Sequence, residues 1–155
     1  MESKIIKHFG EDCYFLTSLG SIFNYDEYGF MEEVNGLVKS KEIEHIYIVN
    51  STHCTFVRNT IHGVLNYPTD AEKELSELML KYWDEIDSTA SSDTKSILLI
   101  NKSMASEETK ISQSAFVGDK ITNKHIGISG LIYHKNEDAF AEIIPEIDTH
   151  VNRKL

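Results

Sequence analysis

The sequence predicts an α/β protein with a mostly parallel central sheet flanked by helices. The apolar run 46–49 is typical of a strand buried on both faces, because β-branched and aromatic residues follow one another without polar alternation. A segment with helical periodicity, 26–41, precedes it. Two β-branched segments, 126–133 and 139–144, predict a closing pair of strands around the polar turn 134–138.

The first strand of the predicted sheet lies at 13–18, after a short amphipathic segment, and ends at the Leu-Gly-Ser of 19–21. With the helix at 26–41 and the strand that begins at Ile43, it would make a β-α-β unit with a right-handed crossover. After the central strand we expect a helix from Phe56, with Ser51 or Thr52 as its N-cap and Gly63 as its stop.

The middle of the chain is predicted to be helical. A helix over 70–87 opens at Pro68-Thr69-Asp70, and 88–94 reads as a loop. The stretch 96–117 is ambiguous, because its first apolar residues suit a strand and its Ser, Met, Ala and Glu continuation suits a helix; we favour the helix. The apolar face of the 70–87 helix is predicted to be Leu75, Leu78, Met79, Tyr82, Trp83 and Ile86.

Length and charge restrict the class of protein. A chain of 155 residues with 41% hydrophobic content predicts a single α/β domain over 1–155. Its formal net charge of −10 disfavours a nucleic-acid groove, so small molecules or proteins are the expected partners. No secretory leader or membrane-spanning run is found. We therefore expect a cytoplasmic protein with Cys13 and Cys54 as free thiols.

The turn that follows the central strand, residues 50–55, is the predicted functional site, because ligands of open α/β sheets bind beyond the carboxyl ends of the strands. Asn50, Ser51 and Thr52 precede a helix whose free amides would bind a carboxylate, phosphate or bicarbonate. Arg58 could hold the same anion, although a surface salt bridge is the commoner use of such a residue.

Cys54 and His53 are the candidate catalytic residues of this turn. The dipole of the following helix would favour a Cys54 thiolate, with His53 as base. The alternatives are a structural cysteine at the end of a strand and a histidine that faces solvent.

Three segments together resemble the β-class carbonic anhydrases. Residues 13–22 look like the second strand of that family and its turn, of which only Gly20 survives. Residues 43–54 look like the strand that ends in the family's His-x-x-Cys zinc pair, and 126–143 look like its closing strands. The resemblance implies the fold of that family and a homodimer or higher oligomer.

The zinc-ligand motifs depart from the pattern of the family. Cys54 matches a zinc cysteine, but Ser51 stands where the histidine should be, and no Cys-x-Asp-x-Arg motif occurs; its segment would lie before Met1. A catalytic zinc needs three protein ligands and an open position. The resemblance therefore implies a degenerate member that lacks the family's first strand and carries no metal. A displaced zinc site that uses His53, Cys54 and Cys13 remains the alternative.

The missing first strand would lie inside the sheet of the family. Its absence must be met by direct pairing of the neighbouring strands or by a strand borrowed from a partner, because an exposed edge invites aggregation.

Two classes of function follow from these residues. The first is a non-catalytic, zinc-free carbonic anhydrase-like protein that binds a small anion or a protein partner at 50–55. The second is a divergent lyase or hydrolase that uses Cys54 with a nearby histidine, or a carbonic anhydrase with a rearranged zinc site. A deep pocket with a Cys–His contact would favour the enzyme.

Overall fold

The computed structural model describes residues 1–25, 28–64, 69–89, 91–114, 117–123 and 125–143. No helix among these residues is long and apolar enough to cross a membrane. The strands are β1 His45–Ser51, β2 Gly127–His134 and β3 Ala139–Ile143, and the helices are α1 Glu2–Phe9, α2 Tyr28–Ser40, α3 Thr55–Ile61, α4 Asp70–Lys81, α5 Trp83–Asp87, α6 Ser92–Gln113 and α7 Gly118–Thr122, with a 3₁₀ turn at Leu19–Ser21.

The predicted α/β fold is confirmed, with a sheet that is small and mixed in the described part of the chain. Its order is β1-β2-β3; β1 and β2 run parallel with His45 opposite Gly127, and β2 and β3 are antiparallel. Helices α3 to α7 make the connection from β1 to β2. The closing pair of strands was therefore predicted correctly.

The predicted strand at 13–18 is wrong. These residues form no ladder, and the side chains of Tyr14 and Leu16 are 50% and 47% exposed. A strand is stable only when a neighbour accepts its hydrogen bonds, and a cavity separates this segment from β1. The predicted β-α-β unit that begins at 13–18 is consequently absent from the described residues.

Strand β1 is less buried than its apolar run predicted. Ile48 is 4% exposed, but Tyr47 and Val49 are only half-buried. The face with Ile48 belongs to the main core, whereas Tyr47 on the other face meets the ring of Phe9 from α1 at 4.9 Å. Successive side chains of a strand point to opposite faces, so they are equally buried only when both faces are covered. In β1 the face with Tyr47 is covered less completely than the face with Ile48.

The ambiguous stretch 96–117 is helical as far as Gln113, where α6 ends, in agreement with the predicted helix. Ser91 caps α6 by accepting a hydrogen bond from the N–H of Thr94, and Leu99 and Met104 are fully buried on its inner face. The helix crosses β2 closely at Gly130, where an added Cβ would stand 2.8 Å from Met104 Sδ. This close packing places α6 behind the sheet.

The predicted helix over 70–87 is two helices, because the backbone of Tyr82 leaves the helical region at φ −109°, ψ 24°. Thr69 and Glu72 form a capping box at the start of α4, while Pro68 lies outside the described residues. Trp83, which was predicted on the apolar face, is 48% exposed at the break. Of the other side chains of that face, Leu75, Leu78, Met79 and Ile86 are buried, and Tyr82 is partly buried against the core.

Helix α3 ends as predicted and begins otherwise. Gly63 adopts φ 67°, and the Val64 N–H returns to the Asn59 carbonyl at 2.8 Å, which closes the helix. Cys54, however, is the N-cap residue, without a side-chain capping bond. The predicted caps, Ser51 and Thr52, lie earlier in the turn because the chain needs three residues to leave the sheet.

Candidate binding site at the edge of the sheet

The end of β1 is tied to the 3₁₀ turn at 19–21. Asn50 Nδ2 donates to the Gly20 carbonyl at 3.1 Å, and Ser21 Oγ donates to the Val49 carbonyl at 2.5 Å. Gly20 has φ 63°, a conformation that glycine adopts without strain. Asn50 is 4% exposed and also accepts from the Ser51 N–H at 2.8 Å. Two predicted ligand-binding residues, Asn50 and Gly20, are thus brought together and bind each other.

The turn itself uses its backbone donors internally. The N–H of Thr52 donates to the Tyr133 carbonyl at 3.2 Å, that of His53 to Ser51 Oγ at 3.2 Å, and that of Cys54 to the Ser51 carbonyl at 2.9 Å. With the Ser51 N–H on Asn50, all four amides of 51–54 have acceptors within the protein. An anion at this turn would have to rely on side chains and on the first amides of α3. Anion binding at 50–55 stays a prediction.

His53 and Cys54 are adjacent but are not joined by a hydrogen bond in the described structure. His53 is exposed and its Nδ1 lies 3.1 Å from Thr52 Oγ1. Cys54 is half-buried and packs against the hydrophobic core. A cysteine nucleophile needs its base within hydrogen-bond reach, so this arrangement favours the structural interpretation of Cys54.

Arg58 lies on the exposed side of α3 and does not line the cavity beside β1. Within the described ranges it forms no ion pair. Its guanidinium is open to solvent, and its use for an anion stays a prediction.

The side chains present do not fit a catalytic zinc ion. Nowhere in the described ranges do three His, Cys, Asp or Glu side chains come together as ligands. The Cys13 thiol, the third ligand of the displaced-site alternative, donates to the Gly10 carbonyl at 3.4 Å. Ser51, in the position that the resemblance gives to a histidine, accepts a hydrogen bond from a backbone amide.

A cavity of about 1020 Å³ lies between β1 and the segment 12–21. We call it the edge cavity. It reaches Ser51, His53 and Cys54 at one end, and much of its lining is apolar, from α1, α2, β1 and the 13–21 segment. Sequence reasoning did not predict this cavity.

The backbone of β1 offers unpaired groups to this cavity. The Gly127 N–H bonds to the Glu44 carbonyl and the Thr52 N–H to the Tyr133 carbonyl, which shows that even-numbered residues face β2. In a parallel ladder the intervening residues point their N–H and C=O groups to the opposite side. The backbone N–H and C=O groups of His45, Tyr47 and Val49 therefore face the edge cavity. Of these groups, only the Val49 carbonyl has a partner in the described residues, Ser21 Oγ.

A buried carboxylate binds two residues that line the edge cavity, Phe23 and Tyr25. Glu107 on α6 is 1% exposed and accepts from Tyr25 Oη at 2.7 Å, from the Phe23 N–H at 3.3 Å and from Lys110 Nζ at 2.9 Å. Lys110 also contacts Glu74.

Burial raises the pKa of Glu107, while the hydrogen bonds from Lys110 and Tyr25 work to lower it. Sequence reasoning missed this residue. The available signal was a glutamate in the apolar stripe that Met104 and Ile111 continue at helical spacing.

The fold and the site define an α/β protein in which β1, paired with β2 on one edge, has a second edge that is unpaired within the described residues and borders an apolar cavity. No protein-family model matches the chain. No curated protein matches its sequence. Solved structures do match. The β-carbonic anhydrase CafA of Aspergillus fumigatus superposes with a TM-score of 0.69 at 15% identity, over 83% of this chain and 62% of that one.

Two further structures give the same result. A mutant of the Aspergillus fumigatus β-carbonic anhydrase CafD superposes with a TM-score of 0.72 at 18% identity, over 84% of this chain and 74% of that one. A match to one of two tetrameric β-carbonic anhydrases from Sordaria macrospora has a TM-score of 0.68 at 9% identity, over 81% and 64% of the two chains. The chain has the fold of the β-carbonic anhydrases, which confirms the resemblance at the level of fold, and it spans 62% to 74% of their length.

Proposed function

We propose that this chain is a non-catalytic, zinc-free protein with the carbonic anhydrase fold, and that it binds a protein partner in the edge cavity. The observation that carries the proposal is the unpaired edge of β1, which faces an apolar cavity of about 1020 Å³. Backbone donors and acceptors that face an apolar cavity need partners, and another polypeptide supplies them in a regular row.

The rival enzyme hypothesis requires contacts that the described residues do not make. The His53 imidazole lies beside Thr52 Oγ1 and is not hydrogen-bonded to the Cys54 thiol. The side chain of Ser51, in the position matched to a zinc ligand, closes the turn instead. Both features support a turn that stabilises the fold, with Cys54 at the start of α3 as a packing residue.

Binding of a small anion at 50–55 is the second candidate. The exposed guanidinium of Arg58 favours it, since this cation has no ion-pair partner in the described ranges. The net charge of −10 and the internal use of the amides at 51–54 both work against it. We therefore rank it below partner binding.

We further propose a homodimer or higher oligomer and a cytoplasmic location. The tetrameric state of the Sordaria macrospora proteins supports the first proposal. Cys13 and Cys54 are free thiols, which suits a reducing compartment and supports the second. Light scattering of the purified chain tests the oligomer, and fluorescence imaging of a tagged chain tests the location.

The test of the non-catalytic proposal is elemental analysis of the purified native protein together with a carbon dioxide hydration assay on the same sample. We expect substoichiometric zinc and no hydration above the uncatalysed rate. One zinc per chain with hydration activity that Cys54→Ala abolishes and Cys13→Ala retains would overturn the proposal. Activity that both variants lose would overturn it as well, and would indicate the displaced site that uses both cysteines.

A further inference from the structure

We propose that the edge cavity is a strand-acceptor site: it takes an extended segment of another polypeptide, parallel to β1, with apolar side chains on both faces and a basic residue at its N-terminal end. This inference rests on the proposed partner binding and names the partner by its chemistry.

The hydrogen bonds come from alternate residues of β1. The N–H groups of His45, Tyr47 and Val49 and the carbonyls of His45 and Tyr47 point into the cavity without partners in the described part of the chain. They repeat every second residue, which is the spacing at which a neighbouring strand presents its own groups. A lipid or another small apolar ligand would leave this row of donors and acceptors unpaired.

The direction of the site follows from its two walls. At one end the 3₁₀ turn binds the end of β1, through Ser21 on Val49. At the other end the Lys41 ammonium, which precedes β1, stands 5.8 Å from the centre of the Tyr14 ring. The segment 13–18 therefore runs in the same direction as β1. The strand that we propose is parallel to both walls, as β2 is parallel to β1 on the other side.

The side chains that line the site require an apolar strand. On the core side the cavity is lined by Met31, Val38 and Ile48, which are 1%, 5% and 4% exposed. On the opposite side Ile5 and Phe9 of α1 line it. A strand covered on both faces reads as a continuous apolar run, so the partner segment carries Val, Ile or Leu without polar alternation.

The acidic residues at one end of the cavity favour a basic residue at the N-terminal end of the partner segment. Asp12, Glu42 and Glu44 line the cavity where β1 begins, against one lysine, Lys41. We call these three carboxylates the acidic entrance. A parallel strand begins at this end, so a lysine or arginine just before its apolar run would meet the carboxylates, whereas an acidic residue there would be repelled.

The probe that tests the inference is an acetylated, amidated octapeptide, Lys-Lys-Val-Ile-Val-Leu-Val-Ile, labelled with fluorescein. Two matched controls have the same apolar run. One carries N-methyl groups on alternate amides, which removes the donors on the β1 side, and the other begins with Glu-Glu. Anisotropy titration of the full chain should give binding that weakens at least tenfold with either control.

The protein variant that tests the edge is Tyr47→Pro, compared with Tyr47→Ala. The Tyr47 N–H faces the cavity and not β2, so proline at this edge leaves the β1–β2 ladder intact while it removes a donor. Circular dichroism should show both variants folded. We expect Tyr47→Pro to bind the peptide at least tenfold more weakly than Tyr47→Ala, and Val49→Pro against Val49→Ala repeats the test if Tyr47→Pro does not fold.

Amide exchange followed by nuclear magnetic resonance locates the peptide. In the free protein the amides of Ile46 and Ile48 should exchange slowly and those of Tyr47 and Val49 fast; the peptide should slow the second pair. Equal binding of the N-methylated control overturns the inference, as does Tyr47 protection that light scattering traces to self-association. A zinc-free chain that does not bind the Lys-Lys probe overturns this inference alone. A chain that proves to be a zinc enzyme overturns the non-catalytic proposal, whether or not the probe binds.

Discussion

Tyr25→Phe probes the buried carboxylate that holds the wall of the edge cavity. The substitution keeps the ring and removes the hydroxyl that donates to Glu107 at 2.7 Å. Burial raises the pKa of Tyr25, so this hydroxyl is a donor throughout the accessible pH range. A hydrogen bond to a charged group contributes about 1.5–3 kcal/mol, and Glu107 keeps only the Phe23 amide and Lys110 when it is lost.

We therefore expect Tyr25→Phe to lower the free energy of unfolding by about 2 kcal/mol near neutral pH. With a urea m-value of about 2 kcal/mol/M, the midpoint should fall by about 1 M. Urea denaturation followed by circular dichroism measures it. The control is Tyr14→Phe, whose ring is half-exposed, and its midpoint should stay within about 0.3 M of wild type.

The pH dependence supplies a second check on the same bond. The pKa of Glu107 is raised above its unfolded value of 4.5, so ionisation of this group costs stability as pH rises through the folded pKa. Below the unfolded value the carboxyl is protonated in both states, and the bond from Tyr25 joins neutral groups. The loss in Tyr25→Phe should then shrink to about 1 kcal/mol. An equal loss at pH 4 and pH 7, or no loss at pH 7, would refute the reasoning.

Two further substitutions test the hydrogen bonds at the end of β1 and the capping box at the start of α4. Asn50→Ala leaves the Gly20 carbonyl and the Ser51 amide without their partner, so we expect a loss of about 1–3 kcal/mol by urea denaturation; an unchanged midpoint would show that water replaces the side chain. Thr69→Ala removes the capping box of α4 and should lower the free energy of unfolding by about 1 kcal/mol, measured by thermal unfolding. Thr17→Ala, at an exposed position, is the neutral control. Equal melting temperatures for the two variants would contradict the capping role.

The parts of the fold that the sequence predicted are those in which one periodicity decides the structure. The closing strands are two β-branched segments on either side of a polar turn, and α4 carries both a capping box and an apolar stripe. The strand at 13–18 has the same local composition as a true strand, but strand formation depends on a neighbour, which composition does not encode. The break at Tyr82 is equally invisible, because Tyr82 and Trp83 continue the helical pattern.

The position of the turn at 50–55 in the fold was predicted, whereas its use as a ligand site stays a prediction. Residues 50–55 lie at the carboxyl end of β1, which includes Asn50 and Ser51, and this is where the α/β rule expects a ligand. The donors of that turn were expected to be free, yet the amide of Asn50 and the hydroxyl of Ser51 occupy two of them. Side-chain to backbone bonds of Ser and Asn are common in turns, but which amide they take depends on the path of the chain.

The long connection between β1 and β2 has a consequence for the folding of this chain. Their register joins His45 to Gly127, so each pair in this ladder brings together residues 82 positions apart, with helices α3 to α7 between them. Pairing at that separation must wait until the intervening helices have collapsed, and parallel pairing of distant segments is intrinsically slow. The ladder should therefore be a late event in refolding. During that interval β1 has no partner on either side, which makes nascent chains dependent on rapid helix collapse or on chaperones.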